Sequence, residues 1–453
     1  MKQRKGISLI VLVITIIIMI IISGAIILTL TETNVIDQAE DATYAYNNKQ
    51  YFELIRNEYL MLRVSDEAKG KTSIEIFEML KEKIDKNAEN VEYITGSKAM
   101  NITIDNTYKY TAFYDGEVKY GKYAYLDIAD GSIQLKNTGY IQGTNPLVEY
   151  DGDYIITGTT TENTVKVMEE GTYNITIKDL NIDVSSVDKC CAFNANAENK
   201  ATGVFVNLYI DGDNKLYAGS HAAALGFANA NPNIEEVTNA SKLTIQGQGH
   251  LYAVGKGNAA GIGTSFIGAA AGDANNITIN SGNITAISVG GGAAAIGGGN
   301  GKNANNIIIN GGNIIAKSSY GQGIGAERVI DNIVINGGNI KLEGGEYGGA
   351  IGGNASSGKV KITGGIIKII NDYYRQKTYS LLGNNCSSIE ITGGTIIGNL
   401  KQEMAIGTTD VTQNISITGG SVYMDRKDNL YAIPPTSETN NVYLTEIQLL
   451  NVT

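Results

Sequence analysis

The sequence predicts a mainly β protein dominated by a parallel β-helix, a solenoid of short strands stacked turn upon turn. Three observations carry that expectation. First, a strand–turn–strand unit recurs. Ile307-Ile308-Ile309-Asn310-Gly311-Gly312-Asn313-Ile314-Ile315-Ala316 alternates with period two, bends at Asn-Gly-Gly and alternates again. Its sharp copies begin at Ile277, Ile307, Ile333, Val360, Ile389 and Ile415, with spacings of 30, 26, 27, 29 and 26 residues. Periods of about 20–50 residues mark solenoids and propellers. Second, a small-Ile-Gly motif follows each turn: Gly261-Ile262-Gly263, Ala295-Ile296-Gly297, Gly323-Ile324-Gly325, Ala350-Ile351-Gly352 and Ala405-Ile406-Gly407, with Leu381-Leu382-Gly383 as a variant. Third, the 453-residue chain has 55 Gly and only 4 Pro, the composition of tight corners rather than of Pro-rich linkers.

Three short apolar segments per repeat describe a three-sided coil. Inward Ile, Val and Leu columns then share one continuous core, and the turns are stable only together. Strand twist and the handedness of parallel crossovers favour a right-handed coil. A WD-type propeller is excluded by the short repeat and the lack of Trp. Looser copies start at Ile175, Leu208 and Leu243, and Val442-Tyr443-Leu444 reads as a degenerate last one, giving nine or ten coils. Asn280, Asn310 and Asn336 hold one repeat position, continued by Thr363, Thr392 and Thr418. Stacked amides donate and accept along such a column, which makes it a structural ladder.

The chain opens with a basic segment, residues 1–6. No charge then occurs from Ile7 to Leu30. That length spans a bilayer, and the basic flank places the N-terminus in the cytoplasm and the bulk outside the cell. Residues 31–64 read as a helical stalk with apolar residues at three- and four-residue steps. Residues 65–149 read as a small α+β neck. Thr72 or Ser73 caps a helix running to about Lys86 on Ile74, Phe77, Leu80 and Ile84, and a Tyr-rich antiparallel sheet with an Asp115-Gly116 turn follows. The β-helix occupies 150–453.

Lys5-Gly6-Ile7-Ser8-Leu9-Ile10 resembles the prepilin leader of type IV pilin-like proteins. The resemblance implies cleavage by a prepilin peptidase between Gly6 and Ile7, with methylation of the new N-terminus. Val11 stands where polymerising pilins usually carry the Glu that helps dock subunits into a filament, and this departure counts against filament incorporation and leaves a simple membrane anchor. Farther on, Tyr154-Ile155-Ile156-Thr157-Gly158, Leu180-Asn181-Ile182-Asp183-Val184 and Asp211-Gly212-Asp213-Asn214-Lys215-Leu216 lead into the Ala-Gly-Ile-Gly coils. Together these resemble bacterial surface β-helix proteins of the carbohydrate-binding type. The motifs themselves are structural.

Net charge is −11, and the first five residues carry +3, leaving −14 on the remainder. A body this acidic argues against nucleic acid as a partner. Three cysteines form no disulfide framework. For catalysis, the acids of the sharp coils (among them Asp273, Glu327, Glu343 and Glu390) do not recur at matching positions, and His221 and His250 are the only histidines. The expectation is therefore a protein that is not an enzyme. For metal, Asp151, Asp153, Asp179, Asp183, Asp211 and Asp213 form acidic turns with oxygens of the kind Ca²⁺ takes. An Asp-Gly-Asp sequence is equally the pattern of a tight solvated turn. For sugars, Tyr320 and Tyr347 each precede the Ile of a small-Ile-Gly motif by four residues on adjacent coils, and Tyr373, Tyr374 and Tyr379 lie in the next coil's longer loop. A row of exposed Tyr rings offers apolar faces with polar tips to an extended glycan.

These residues lead to a membrane-anchored extracellular β-helix protein serving surface adhesion or polysaccharide binding. The alternatives are a pilin-like filament subunit or spacer and, third, a polysaccharide lyase or hydrolase. Mass spectrometry of the native N-terminus checks the leader: a methylated Ile7 is expected, whereas retention of Met1 to Gly6 refutes processing.

Overall fold

The computed structural model describes residues 35–96, 98–200, 202–229, 240–266, 272–353, 358–370, 382–384, 386–400, 406–407, 414–426, 441–444 and 449–450. The leader with its Gly6/Ile7 junction and the apolar segment 7–30 lie outside these residues. No helix among the described residues is long and apolar enough to cross a membrane. The chain divides into two compact units, Met1–Tyr123 and Ala124–Thr453.

In the first unit, helix α1 (Val35–Arg63) buries Ile55, Tyr59 and Leu62, spaced to fall on one face. Helix α2 (Ser73–Ile84) starts at a reciprocal cap. The Thr72 hydroxyl accepts from the Glu75 N–H, and the Glu75 carboxylate accepts from the Thr72 N–H at 2.7 Å. Phe77, Leu80 and Ile84 are buried, but Ile74 is half exposed. It sits in the first turn, at the flank of the stripe that the other three define. Four antiparallel strands follow in the order β1 (Val91–Thr95), β2 (Ala99–Ile104), β3 (Tyr108–Phe113) and β4 (Val118–Tyr120). The Tyr59 hydroxyl donates to the Phe113 carbonyl at 2.7 Å, joining α1 to this sheet.

The second unit is mainly β, a parallel β-solenoid of about eight turns rather than nine or ten coils. Each complete turn crosses three faces. The first carries the sharp copies, and Leu243, Ile277, Ile307, Ile333, Val360, Ile389, Ile415 and Val442 pair in a single column. The second carries Leu251, Ile284, Ile314, Ile340, Ile367 and Ile396 in register. The third is the small-Ile-Gly column, from Ile262 through Ile296, Ile324 and Ile351 to Leu382. The inward residues of all three faces merge in one buried cluster.

Two features differ from the sequence expectation. Ile175 pairs with Leu208 and Leu243 with Ile277 as read, but between those copies the register slips by two residues, since Leu208 pairs with Ile245 and Val206 with Leu243. A slip of two keeps the same side chains inward, so burial could not distinguish the two registers. The solenoid also reaches below residue 150. Ile133–Lys136 already pairs in parallel with Val165–Val167. On its other edge Ile133–Lys136 takes Gly139–Gln142 antiparallel, which in turn pairs antiparallel with Val148–Glu149.

The corners explain the glycines. Gly312 has φ +99° and Gly338 φ +99°. A Cβ on Gly312 would lie 2.8 Å from the Gly282 carbonyl, and one on Gly338 would lie 2.9 Å from the Gly312 carbonyl. Backbone conformation and rung spacing thus demand the same residue. Beside this corner the Asn310 amide donates to Asn280 and the Asn336 amide to Asn310, each at 2.8 Å. The Thr363 hydroxyl donates to Asn336 at 2.8 Å. Thr392 and Thr418 hold the same position, their N–H groups donating to Ile362 and Ile391 at 2.9 Å.

Ile309 is fully buried and pairs with Ile279 and Ile335. Ile309→Asp is expected to unfold the neighbouring turns, because an unpaired carboxylate there costs several kcal/mol, whereas Ile309→Val loses only about 1 kcal/mol. Circular dichroism melting checks this; a normally folded Asp variant contradicts the register.

Candidate functional site

The corner between the second and third faces holds the exposed aromatic pair. Paired Ser288 and Ser318 fix the register leaving the second face. Two residues on, the chain carries Gly290 on one turn and Tyr320 on the next. Lys256 pairs with Val289, so Gly257 occupies this corner one turn earlier still. A Cβ on Gly290 would meet only Gly257 backbone, at 3.9 Å. The corner is therefore bare for two turns before the first ring.

Tyr320 and Tyr347 then stack on each other. Their centroids are 6.0 Å apart and their planes 12° apart, the offset parallel arrangement aromatic rings prefer. The Tyr347 N–H donates to the Tyr320 carbonyl at 2.8 Å. Gly345 permits this approach, since a Cβ there would collide with the Tyr320 backbone. The rings remain 38% and 43% exposed, so folding holds them together without hiding them. Tyr373, Tyr374 and Tyr379 lie outside the described residues.

The acidic turns separate into two places. The Asp153 carboxylate accepts from the Asn174 amide at 2.9 Å. Tyr154, close to Asp151 and Asp153, has its phenol pushed up to about 12, by burial first and then by Tyr140 and these two carboxylates. One turn on, the Asp179 carboxylate accepts from the Asp213 N–H at 2.9 Å and fills the space above Gly212, where a Cβ would collide with it. Asp211 pairs with Lys178 across the ladder. The Asp183 carboxylate accepts from the Ser185 N–H at 3.1 Å. Among the described residues no group of three or more His, Cys, Asp or Glu side chains is placed to hold a metal ion. The Asp179 and Asp183 carboxylates cap turns.

Acids of the later coils are also bound into the scaffold. Glu343 receives Lys317 and Lys341, each at 2.8 Å. Burial raises its pKa, but the two ammonium groups outweigh this and hold it below the ordinary carboxylate value. Glu390 pairs with Lys361 at 2.9 Å. Asp273 accepts from both the backbone and the side chain of Asn303, and Glu327 accepts from the Gly301 N–H. Burial pushes the thiol pKa values up, Cys191 to about 11 and Cys386 to about 12.

Sequence reasoning missed two further ladders and a second aromatic pair. Asn313 donates to Asn283 at 2.8 Å and Asn306 to Asn276 at 2.7 Å. Both repeat at the 30-residue spacing already visible between Ile277 and Ile307. Tyr217 and Tyr252 meet on the second face with centroids 5.7 Å apart. Tyr252 pairs with Lys215 and Tyr217 with Val254, so the two rings meet diagonally across the ladder and share no repeat position. No protein-family model, curated protein or solved structure matches the chain at a significant level.

Gly212 has φ +67°. Gly212→Ala is expected to destabilise the fold by about 2 kcal/mol or more, from left-handed strain and the clash with Asp179. Asp179→Ala in the same chain should return part of that loss. Denaturant melts check both, and an unchanged midpoint for Gly212→Ala removes the turn-capping role from Asp179.

Proposed function

We propose that this chain is a non-catalytic, cell-surface protein that binds polysaccharide along its solenoid. The observation that carries the reading is the Tyr320–Tyr347 pair, two parallel and exposed rings on successive turns beside a bare glycine corner. A pyranose ring has a C–H-rich face and a rim of hydroxyls. Tyr offers the matching combination, an apolar ring with a hydroxyl at its edge. Rungs repeat at about 4.8 Å, so neighbouring turns present successive contacts to an extended chain. The scaffold duties of Glu343, Glu390, Asp273 and Asp179 favour binding over hydrolysis, which calls for a free pair of carboxylates flanking the bond.

The uncharged run from Ile7 to Leu30 supports a single-pass anchor with the solenoid outside the cell. The second reading is a pilin-like structural subunit. What favours it is the pairing of the leader-like Lys5-Gly6-Ile7 with a long first helix, α1, packed on an antiparallel sheet. Recovery of the protein in sheared surface filaments would favour that role.

Retention of the full chain on immobilised plant and microbial polysaccharides tests the first reading. The Tyr320→Ala, Tyr347→Ala double variant is expected to lose about tenfold in affinity, or roughly 1.4 kcal/mol. Undiminished retention removes the corner from consideration, and degradation of the polysaccharide would turn the assignment to an enzyme.

A further inference from the structure

The second face carries another concavity, two turns before the stacked tyrosines. It is a groove of about 260 Å³ lined by Asp213, Lys215, Tyr217, His250, Tyr252 and Thr285. Three consecutive rungs build it. Lys215 pairs with Tyr252, and Tyr252 with Thr285, so these side chains stand in one outward column. Asp213 and His250 form the column on one side. Tyr217, which pairs with Asp183, stands on the other. The inward neighbours Leu216, Leu251 and Ala253 are buried in the core, which fixes the direction of the outward set.

The chemistry of the lining is unusual for a solenoid wall. Elsewhere on this unit outward polar groups pair along the columns, as Asn280 does with Asn310 or Lys317 with Glu343. Here, among the described residues, the side chains of Asp213, Lys215, Tyr217, His250, Tyr252 and Thr285 make no hydrogen bond or ion pair with one another or with their surroundings. Yet they converge on two half-buried rings tilted by 51°. The tilt leaves a notch between the rings instead of closing them face to face. The Tyr217 phenol is raised by burial, then by Tyr252 and Asp183, and stays an O–H donor at neutral pH. The floor is firm, because buried Asn214 donates to the carbonyls of Asp211 and His250, tying the turn to the next rung.

We infer that this groove is a second, independent saccharide subsite that takes one pyranose unit of a neutral glycan. The ring packs on Tyr252 and Tyr217. Its hydroxyls donate to Asp213 and accept from Lys215, His250, Thr285 and the tyrosine hydroxyls. An apolar floor ringed by both donors and acceptors selects a ligand with an apolar face and a hydroxyl rim. The adjacent Asp183 and Asp213 carboxylates disfavour a polyanionic glycan.

The test uses isothermal titration of the full chain with four neutral probes: cellohexaose, chitohexaose, maltohexaose and xylohexaose. At least one is expected to bind. Tyr252→Ala should weaken it about fivefold or more, while Tyr252→Phe keeps most of the affinity. Thr285→Arg fills the groove from an outward position without touching the core and should also abolish binding, which separates blocked access from misfolding. The Tyr320→Ala, Tyr347→Ala variant is expected to retain the groove's share of the affinity. Wild-type affinity in folded Tyr252→Ala and Thr285→Arg overturns the groove, whatever the corner does. Loss with these two variants but not with the corner pair upholds the groove and removes the corner instead. No heat with any probe up to about 10 mM overturns this inference, and retention on polysaccharide then decides the corner alone.

Discussion

Adjacent rungs lie about 4.8 Å apart, and each must lie over the last for the whole length of a turn. Everything else in the second unit answers to that spacing. The backbone pairs with its neighbours above and below, so side chains cannot enter the layer between them. Where the chain bends sharply, even a Cβ intrudes, as the 2.8 Å approach to the Gly282 carbonyl at Gly312 illustrates. Inside, the same spacing brings like residues into contact and converts a weak local pattern into a continuous column of Ile. Outside, it brings amide over amide, so that Asn280, Asn310 and Asn336 satisfy one another. Core, corner and ladder are one geometric condition met by three residue types.

That condition also explains how much could be read in advance. From Ile277 onward the repeat combines an alternating strand with a Ser-Gly or Gly-Gly corner, and two independent markers fix the register. The pairing of Ile277, Ile307 and Ile333 follows them. Before residue 250 the corner is Asp-Gly or Gln-Gly, only the alternation remains, and alternation is blind to a shift of two. Hence Leu208 meets Ile245. The early strand Ile133–Lys136 was illegible as solenoid because its next partner in sequence, Gly139–Gln142, is antiparallel and reads as an ordinary hairpin. In the first unit the cap at Thr72 was visible, since its chemistry is local. The exposure of Ile74 was not, because it depends on where the sheet lies. The corner tyrosines were legible through their common distance from a repeat motif. The groove was not, because Tyr217 and Tyr252 stand two positions apart on the strand and meet only across the ladder.

A scaffold of this kind separates stability from recognition along a simple line. Inward positions are shared by all turns and tolerate little change. Outward positions are bound only to their own column. The acidic residues show how charge is used there: Glu343 between two lysines and Asp179 beneath Gly212 serve the fold. What is left for a partner is what no column consumes, the rings of Tyr320 and Tyr347 and the open side chains around Tyr252. The −14 charge of the chain beyond its first five residues adds a long-range preference for neutral or cationic surfaces over polyanions.

The antiparallel strands at Gly139–Gln142 and Val148–Glu149 close the early edge of the third face. A ribosome releases the chain N-terminus first, and domains tend to order in that sequence. The closed edge is therefore also the earliest one made. Each later turn is synthesised after the rung it pairs with, so a single edge of the solenoid faces the chain still to come. A turn added or removed at the far end would therefore leave the starting edge, and the register it sets, as they are.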